Sequence, residues 1–118
     1  MHPRIKTFVY AWRGICVTLR TQPNAQIHTA IGTLVVLAGW FFGLSPTEWS
    51  LLVLCIALVL AAEAFNTAVE SVVDLVSPDF HPLAGRAKDA AAGAVLLIAC
   101  GAAVVGSIVF IPKIFRWL

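Results

Sequence analysis

Apolar residues form three long blocks along the chain, at about residues 26–43, 47–76 and 87–113. A helix needs ~20 mostly apolar residues to cross a bilayer, so each block predicts one transmembrane helix. The middle block is longer than a single crossing requires, and the last block carries no charge from Ala90 to Pro112. The pattern predicts an all-α membrane protein with three spans.

A different pattern precedes these blocks, at about residues 3–21, where apolar residues recur at helical spacing and basic residues fall between them. The apolar members are Ile5, Phe8, Val9, Trp12, Ile15, Cys16 and Leu19. A basic amphipathic helix binds the interface of an anionic leaflet. A soluble core-facing helix would show the same pattern, but the rest of the chain offers no soluble core. We therefore predict an amphipathic surface helix.

The chain has 118 residues, of which 60% are hydrophobic and 12% charged, so we predict one membrane domain over residues 1–118. Six basic residues would lie on one side of the three spans, and only Lys113 and Arg116 on the other. The six are Arg4, Lys6, Arg13, Arg20, Arg86 and Lys88. The more basic side faces the cytoplasm, which puts the surface helix and the Ser77–Lys88 connection there. Three widely spaced cysteines indicate neither a metal motif nor a disulfide framework.

Most of the acidic residues lie in one segment that otherwise has the composition of a membrane helix. Glu63, Glu70 and Asp74 are spaced at i, i+7 and i+11, with Asn66 at i+3. These four residues share one helix face over about three turns. Carboxylates at membrane depth are unfavourable by several kcal/mol unless they are paired or bound, so they mark a functional site. Three helices cannot surround so long a stripe, and we expect a homo-oligomer.

Lys88 and Asp89 open the last helix, and antiparallel packing would return them to the cytoplasmic end of this acidic stripe. Carboxylate and amide oxygens suit Mg²⁺, and phosphoryl transfer needs a metal, a cation and a base. The sequence contains neither GxxxxGK[ST] nor GxGxxG, which excludes P-loop and protein-kinase machinery. The residues alone fit equally well a polar face that packs against partner helices or lines water. A small ion-conducting or proton-relay subunit is a further alternative, although a pore would not need the AKD segment at Ala87–Asp89.

Four segments resemble the bacterial integral-membrane family of diacylglycerol kinases and undecaprenol kinases. They are YAWRG (Tyr10–Gly14), PNAQIH (Pro23–His28), EAFNTAVESVVD (Glu63–Asp74) and FHPLAGRAKDAAAGAVLL (Phe80–Leu97). They follow the family's order and spacing over essentially the whole chain. The second and fourth segments are more similar to the undecaprenol-kinase branch.

This resemblance implies a homotrimer in the bacterial inner membrane, with composite active sites on the cytoplasmic face. Each protomer would have a surface helix and three spans. The implied reaction is transfer of a phosphate from ATP, with Mg²⁺, to the hydroxyl of a membrane lipid. Undecaprenol is the expected acceptor, and diacylglycerol is the alternative.

The resemblance also implies roles for individual residues. Glu63 would be the general base, and Glu70 would bind the metal and the nucleotide. Asn66 would orient the base or the phosphates. Asp74 would support the same face. The implied nucleotide contacts are Lys88, Asp89, Tyr10, Asp79 and His81, and the implied lipid-headgroup contacts are Asn24 and His28.

One position departs from the family pattern. The segment before Pro23 normally carries a glutamate that binds metal and nucleotide, and here the residue is Gln22. A glutamine still offers an oxygen but brings no negative charge. Gln22 therefore predicts either a site with fewer charged ligands or a catalytically impaired protein that binds nucleotide and lipid.

Overall fold

The computed structural model describes residues 2–118 and contains four α-helices. Their bounds are Pro3–Thr21 (α1), Pro23–Phe42 (α2), Pro46–Val76 (α3) and Pro82–Trp117 (α4). The last three are long and apolar enough to cross a membrane. The prediction of an all-helical protein with three possible spans is confirmed.

Each helix begins with a proline, which fits the first turn because the backbone N–H there has no helical partner anyway. At the start of α3, Ser45 and Glu48 form a reciprocal capping box: the Ser45 hydroxyl accepts from the Glu48 N–H at 3.2 Å, and the Glu48 carboxylate accepts from the Ser45 N–H at 3.0 Å. At the start of α4, His81 Nδ1 accepts from the N–H of Leu83 at 3.1 Å.

Two helix starts differ from the prediction. Helix α4 begins at Pro82 and not near residue 87, and α2 begins at Pro23 and not near residue 26. The connection between α3 and α4 therefore ends at His81 and is shorter than expected. In both cases the helix extends back to a proline, which fits the first turn because it needs no N–H partner there.

The packing of α4 on α3 is the most extensive in the bundle, and α2 and α1 each contact α3 through fewer residues. At the end of the bundle where α3 begins, Leu44, Leu52 and Val109 form a small buried cluster. Two glycines allow α2 to come close to α3 there. Gly43 adopts φ +68°, a left-handed conformation that ends α2. Gly39 has no side chain, and a Cβ at this position would lie only 2.7 Å from the Trp49 ring.

The same end of the bundle carries an ion pair and aromatic contacts. Lys113 Nζ lies 3.1 Å from Glu48 Oε1 and so joins the end of α4 to the start of α3. The rings of Trp40 and Trp49 are 6.4 Å apart, and that of Trp117 is 5.7 Å from a phenylalanine of α2. We call this region the aromatic end. The acidic stripe lies toward the opposite end of α3.

Candidate active site

Burial along the acidic stripe of α3 falls steadily from one end to the other. Glu63 is 1% exposed and is the largest fully buried side chain in residues 2–118. Asn66 is 8% exposed, Glu70 is partly buried and Asp74 is exposed. The stripe therefore runs from the bundle interior to its surface, as a path between lipid and water would.

Glu63 and Asn66 line a cavity of about 260 Å³ where α2, α3 and α4 meet. Asn24 and His28 enter it from α2. The α4 side contributes only apolar residues, namely Ala92, Val95, Leu96 and Ala99. Four of the predicted site residues are thus brought together in one small polar pocket, which we call the Glu63 pocket.

Two buried oxygens in the Glu63 pocket lack hydrogen-bond partners within the described chain: Glu63 Oε1 and Asn66 Oδ1. A basic group does lie near the first of them, because His28 Nε2 is 3.5 Å away. Leaving a buried polar group unsatisfied is unfavourable by about 1–3 kcal/mol. Such a group in a folded protein calls for an explanation, and a substrate contact supplies one.

Beyond this pocket, the stripe continues through side-chain contacts. Asn66 Nδ2 donates to Glu70 Oε1 at 3.3 Å. Lys88 Nζ lies 2.6 Å from Asp74 Oδ1, which links α4 to the exposed end of the stripe. The expectation that the start of α4 returns to the stripe holds for Lys88. Because both side chains are substantially exposed, the ion pair contributes little to the stability of the fold. Its main consequence is that the Lys88 ammonium lies at the exposed end of the stripe.

The other predicted nucleotide residues lie apart from the Glu63 pocket in a single chain. Asp89 is on another face of α4, beside a shallow groove with Phe80 and Arg86. Asp79 and His81 are exposed in or beside the α3–α4 connection. The remaining two are Tyr10, 61% exposed on α1, and Gln22, which is partly buried at the α1–α2 junction.

No metal cluster forms within one chain. Among residues 2–118, no three His, Cys, Asp or Glu side chains come close enough together to hold an ion. The roles of Glu70 and Gln22 as metal ligands therefore stay predictions.

Sequence reasoning missed the pairing of His28 with Glu63, since it placed His28 only near a lipid headgroup. The signal was the spacing on α2, where Ala25 and Gly32 flank His28 by one turn on each side. Both are buried, and Ala25 is 0% exposed. Small residues at this spacing indicate a face that packs closely against another helix.

A second cavity, which we call the apolar slot, adjoins the Glu63 pocket. It has a volume of about 230 Å³, lies between α2, α3 and α4, and shares His28 and Ala99 with the pocket. Its α4 wall consists of small residues as far as Gly106. The polar and apolar spaces thus meet at His28 and Ala99, and Glu63 lines the polar one.

The family model described as prokaryotic diacylglycerol kinase matches residues 9–110. The chain is 44% identical to the undecaprenol kinase of Bacillus subtilis, over 92% of this chain and 89% of that protein. It is 44% identical to a diacylglycerol kinase of Synechocystis, over 92% of this chain but only 62% of that longer protein. The identity with the diacylglycerol kinase of Escherichia coli K12 is 34%, over 79% of this chain and 76% of that protein. The chain therefore belongs to the prokaryotic diacylglycerol kinase family of membrane lipid kinases.

Proposed function

We propose that this protein phosphorylates undecaprenol, using ATP and Mg²⁺, at the cytoplasmic face of the inner membrane. The observation that carries the proposal is the position of Glu63, a buried carboxylate in a pocket that adjoins the apolar slot at His28 and Ala99. An alcohol with a long apolar tail fits this junction, because its hydroxyl can reach the carboxylate while its tail stays among apolar side chains.

The apolar slot has room for the first part of a lipid chain, because its volume of about 230 Å³ exceeds the about 150 Å³ of an apolar cavity that holds one benzene ring. The match to the Bacillus subtilis undecaprenol kinase, which covers 89% of that protein, supports undecaprenol as the acceptor. Diacylglycerol remains the alternative.

In the proposed reaction, Glu63 accepts the proton of the lipid hydroxyl while the hydroxyl oxygen attacks the γ-phosphorus of ATP. The bond between the β- and γ-phosphates breaks, and its electron pair leaves with the nucleoside diphosphate. Holding the hydroxyl against a fixed base provides proximity and orientation, which are large contributions to the rate. Lys88 would add positive charge where the transferred phosphate develops negative charge.

The donor set fits a magnesium ion, since Mg²⁺ binds through one or two carboxylates together with substrate phosphates. Glu70 would hold it, with the amide oxygen of Gln22 as a weaker ligand. The bound ion would neutralise charge on the ATP phosphates. Asn66 positions the Glu70 carboxylate through its 3.3 Å hydrogen bond.

The nucleotide site would be completed by neighbouring chains in a homotrimer. The support is the exposure of Tyr10, Asp79, His81 and Asp89, none of which reaches the Glu63 pocket of its own chain. Helix α1 would lie on the membrane surface, because several of its apolar residues remain uncovered in the single chain, among them Phe8, which is 77% exposed.

A mixed-micelle assay with labelled ATP, Mg²⁺, undecaprenol, diacylglycerol and short prenols tests this function. We expect label in undecaprenyl phosphate, and Glu63→Gln should lower kcat by roughly 10²–10⁴, the usual contribution of a general base. Glu48→Gln makes the same chemical change at the aromatic end and should retain activity. Label only in phosphatidic acid would establish the alternative acceptor. An undiminished rate in Glu63→Gln would contradict the proposed base.

The impaired-protein alternative has its own outcome in this assay. Nucleotide binding without turnover for any lipid would indicate that Gln22 has ended catalysis. Gln22→Glu would then restore turnover, because a carboxylate binds Mg²⁺ more strongly than an amide does.

A further inference from the structure

His28 is held in a fixed position against α3 by the small residues that flank it. Ala25 is fully buried, and a Cβ on Gly32 would lie 3.4 Å from the Ile56 side chain, so α2 and α3 approach closely at this level. This packing puts His28 Nε2 3.5 Å from Glu63 Oε1. The imidazole side chain is 23% exposed, whereas the carboxylate is 1% exposed.

His28 is also the one basic side chain near Glu63 in the described part of the chain. The other polar residues of the Glu63 pocket, Asn24 and Asn66, are amides and do not exchange protons. The facing residues of α4 are apolar, and α1 lines neither the pocket nor the apolar slot.

The remaining titratable groups near His28 are engaged or lie farther along α3 and α4. Cys55 lines the apolar slot beyond the imidazole. Glu70 accepts the Asn66 amide, and Lys88 pairs with Asp74. Glu63 therefore has one titratable neighbour in contact with it in the described chain, His28, whose side chain is partly exposed.

The proposed kinase reaction creates a need for such a neighbour. Each turnover moves one proton from the lipid hydroxyl to Glu63, and the carboxylate must be regenerated before the next lipid can react. Glu63 is almost completely shielded from solvent and cannot release the proton directly.

We infer that His28 is the proton exit of the active site. It accepts the proton of Glu63 at Nε2, becomes an imidazolium and returns to the neutral ring by releasing a proton to water. The overall transfer runs from lipid hydroxyl to Glu63, to His28 and to solvent, so charge and protons balance. His28 acts on the reaction through Glu63 and not on the lipid itself. This inference rests on the proposed role of Glu63 as the base.

The test compares His28→Gln with the unmodified protein in the mixed-micelle assay, using the lipid that is phosphorylated best. Glutamine can donate a hydrogen bond to Glu63 but cannot carry its proton. A general acid or base contributes roughly 10²–10⁴ in rate, and His28 handles only the second transfer, so we expect kcat to fall about tenfold. The KM for ATP should not change.

Two further measurements separate a proton exit from a merely structural partner. An imidazole changes charge between about pH 5 and 8, so the unmodified enzyme should lose kcat toward the acidic side of that window, and His28→Gln should lack this loss. Added imidazole should restore part of the rate of His28→Ala, because the removed side chain leaves space beside Glu63.

His2→Gln is the matched control, since His2 is exposed at the start of α1 and far from the Glu63 pocket. It should leave the rate and the pH profile unchanged, and thermal unfolding of each variant in detergent checks that the fold is intact. An unchanged kcat in His28→Gln would overturn the inference. So would an increase in the lipid KM alone, or a lower kcat with the same pH profile and no imidazole rescue.

These outcomes are distinct from failure of the proposed function. If Glu63→Gln is inactive and His28→Gln behaves like the unmodified enzyme, the kinase proposal stands and the proton exit is wrong. If Glu63→Gln keeps full activity, Glu63 is not the base and both proposals fail.

Discussion

The two ends of the bundle differ in how completely their polar groups are satisfied. At the aromatic end, Glu48 accepts from the Ser45 N–H and pairs with Lys113, and Trp49 packs on Gly39. In the Glu63 pocket, two buried oxygens have no hydrogen-bond partner within the described chain, and the apolar slot adjoins this pocket. The contacts of the aromatic end therefore stabilise the bundle. The other end contains cavities and unsatisfied polar groups that a lipid hydroxyl and a nucleotide could contact.

The largest effect should come from replacing Glu63 with leucine. Glu63→Leu removes the base, so lipid phosphorylation should fall at least 10²-fold. It also removes a buried oxygen without a hydrogen-bond partner, and such a group is unfavourable by about 1–3 kcal/mol. The free energy of unfolding should therefore stay the same or rise. Assay and thermal unfolding of the same preparation check both, and a clear loss of stability would show that Glu63 is a structural residue.

An intermediate effect is expected from filling the apolar slot. Gly106 lines the slot, and an added Cβ would meet nothing within 4 Å, so Gly106→Leu should occupy the space of the lipid chain. A misfit of one or two methylenes changes specificity by roughly 10–200-fold, and we expect kcat/KM for undecaprenol to fall about tenfold. The KM for ATP should not change.

Gly101→Leu is the control for the filled slot. Gly101 lies on the same helix and also has open space around it, but it is exposed and outside the slot. Equal losses in Gly106→Leu and Gly101→Leu would show that the effect comes from the helix surface and that the slot does not hold the acceptor chain.

Much of the fold follows from local pattern, which explains why it could be predicted. The apolar blocks and the 3.6-residue period predicted four helices, and the polar positions of α3 do share a face whose burial falls from Glu63 to Asp74. The start of α4 was predicted too late because Pro82 opens a helix as readily as it ends one.

Contacts between distant residues could not be predicted in the same way. The 3.5 Å approach of His28 to Glu63 depends on how closely α2 meets α3, and the sequence reports this only through small residues such as Ala25. The apolar slot likewise arises from the packing of three helices. The proposed nucleotide contacts of Tyr10 and Asp89 would involve neighbouring chains of the proposed homotrimer, whose geometry no pattern within one chain describes.

The smallest effect should come from the ion pair of the aromatic end. Lys113→Gln breaks the 3.1 Å contact with Glu48. Both side chains are only partly buried, so solvent still screens the pair and the unfolding midpoint should fall by about 4 °C or less. Activity should be unchanged, because Lys113 is remote from the Glu63 pocket. Arg116→Gln removes the same charge one turn away, where the described chain shows no ion pair, and serves as the control. A loss of lipid phosphorylation in Lys113→Gln at an unchanged midpoint would contradict the contrast between the two ends, because it would show that the aromatic end takes part in catalysis.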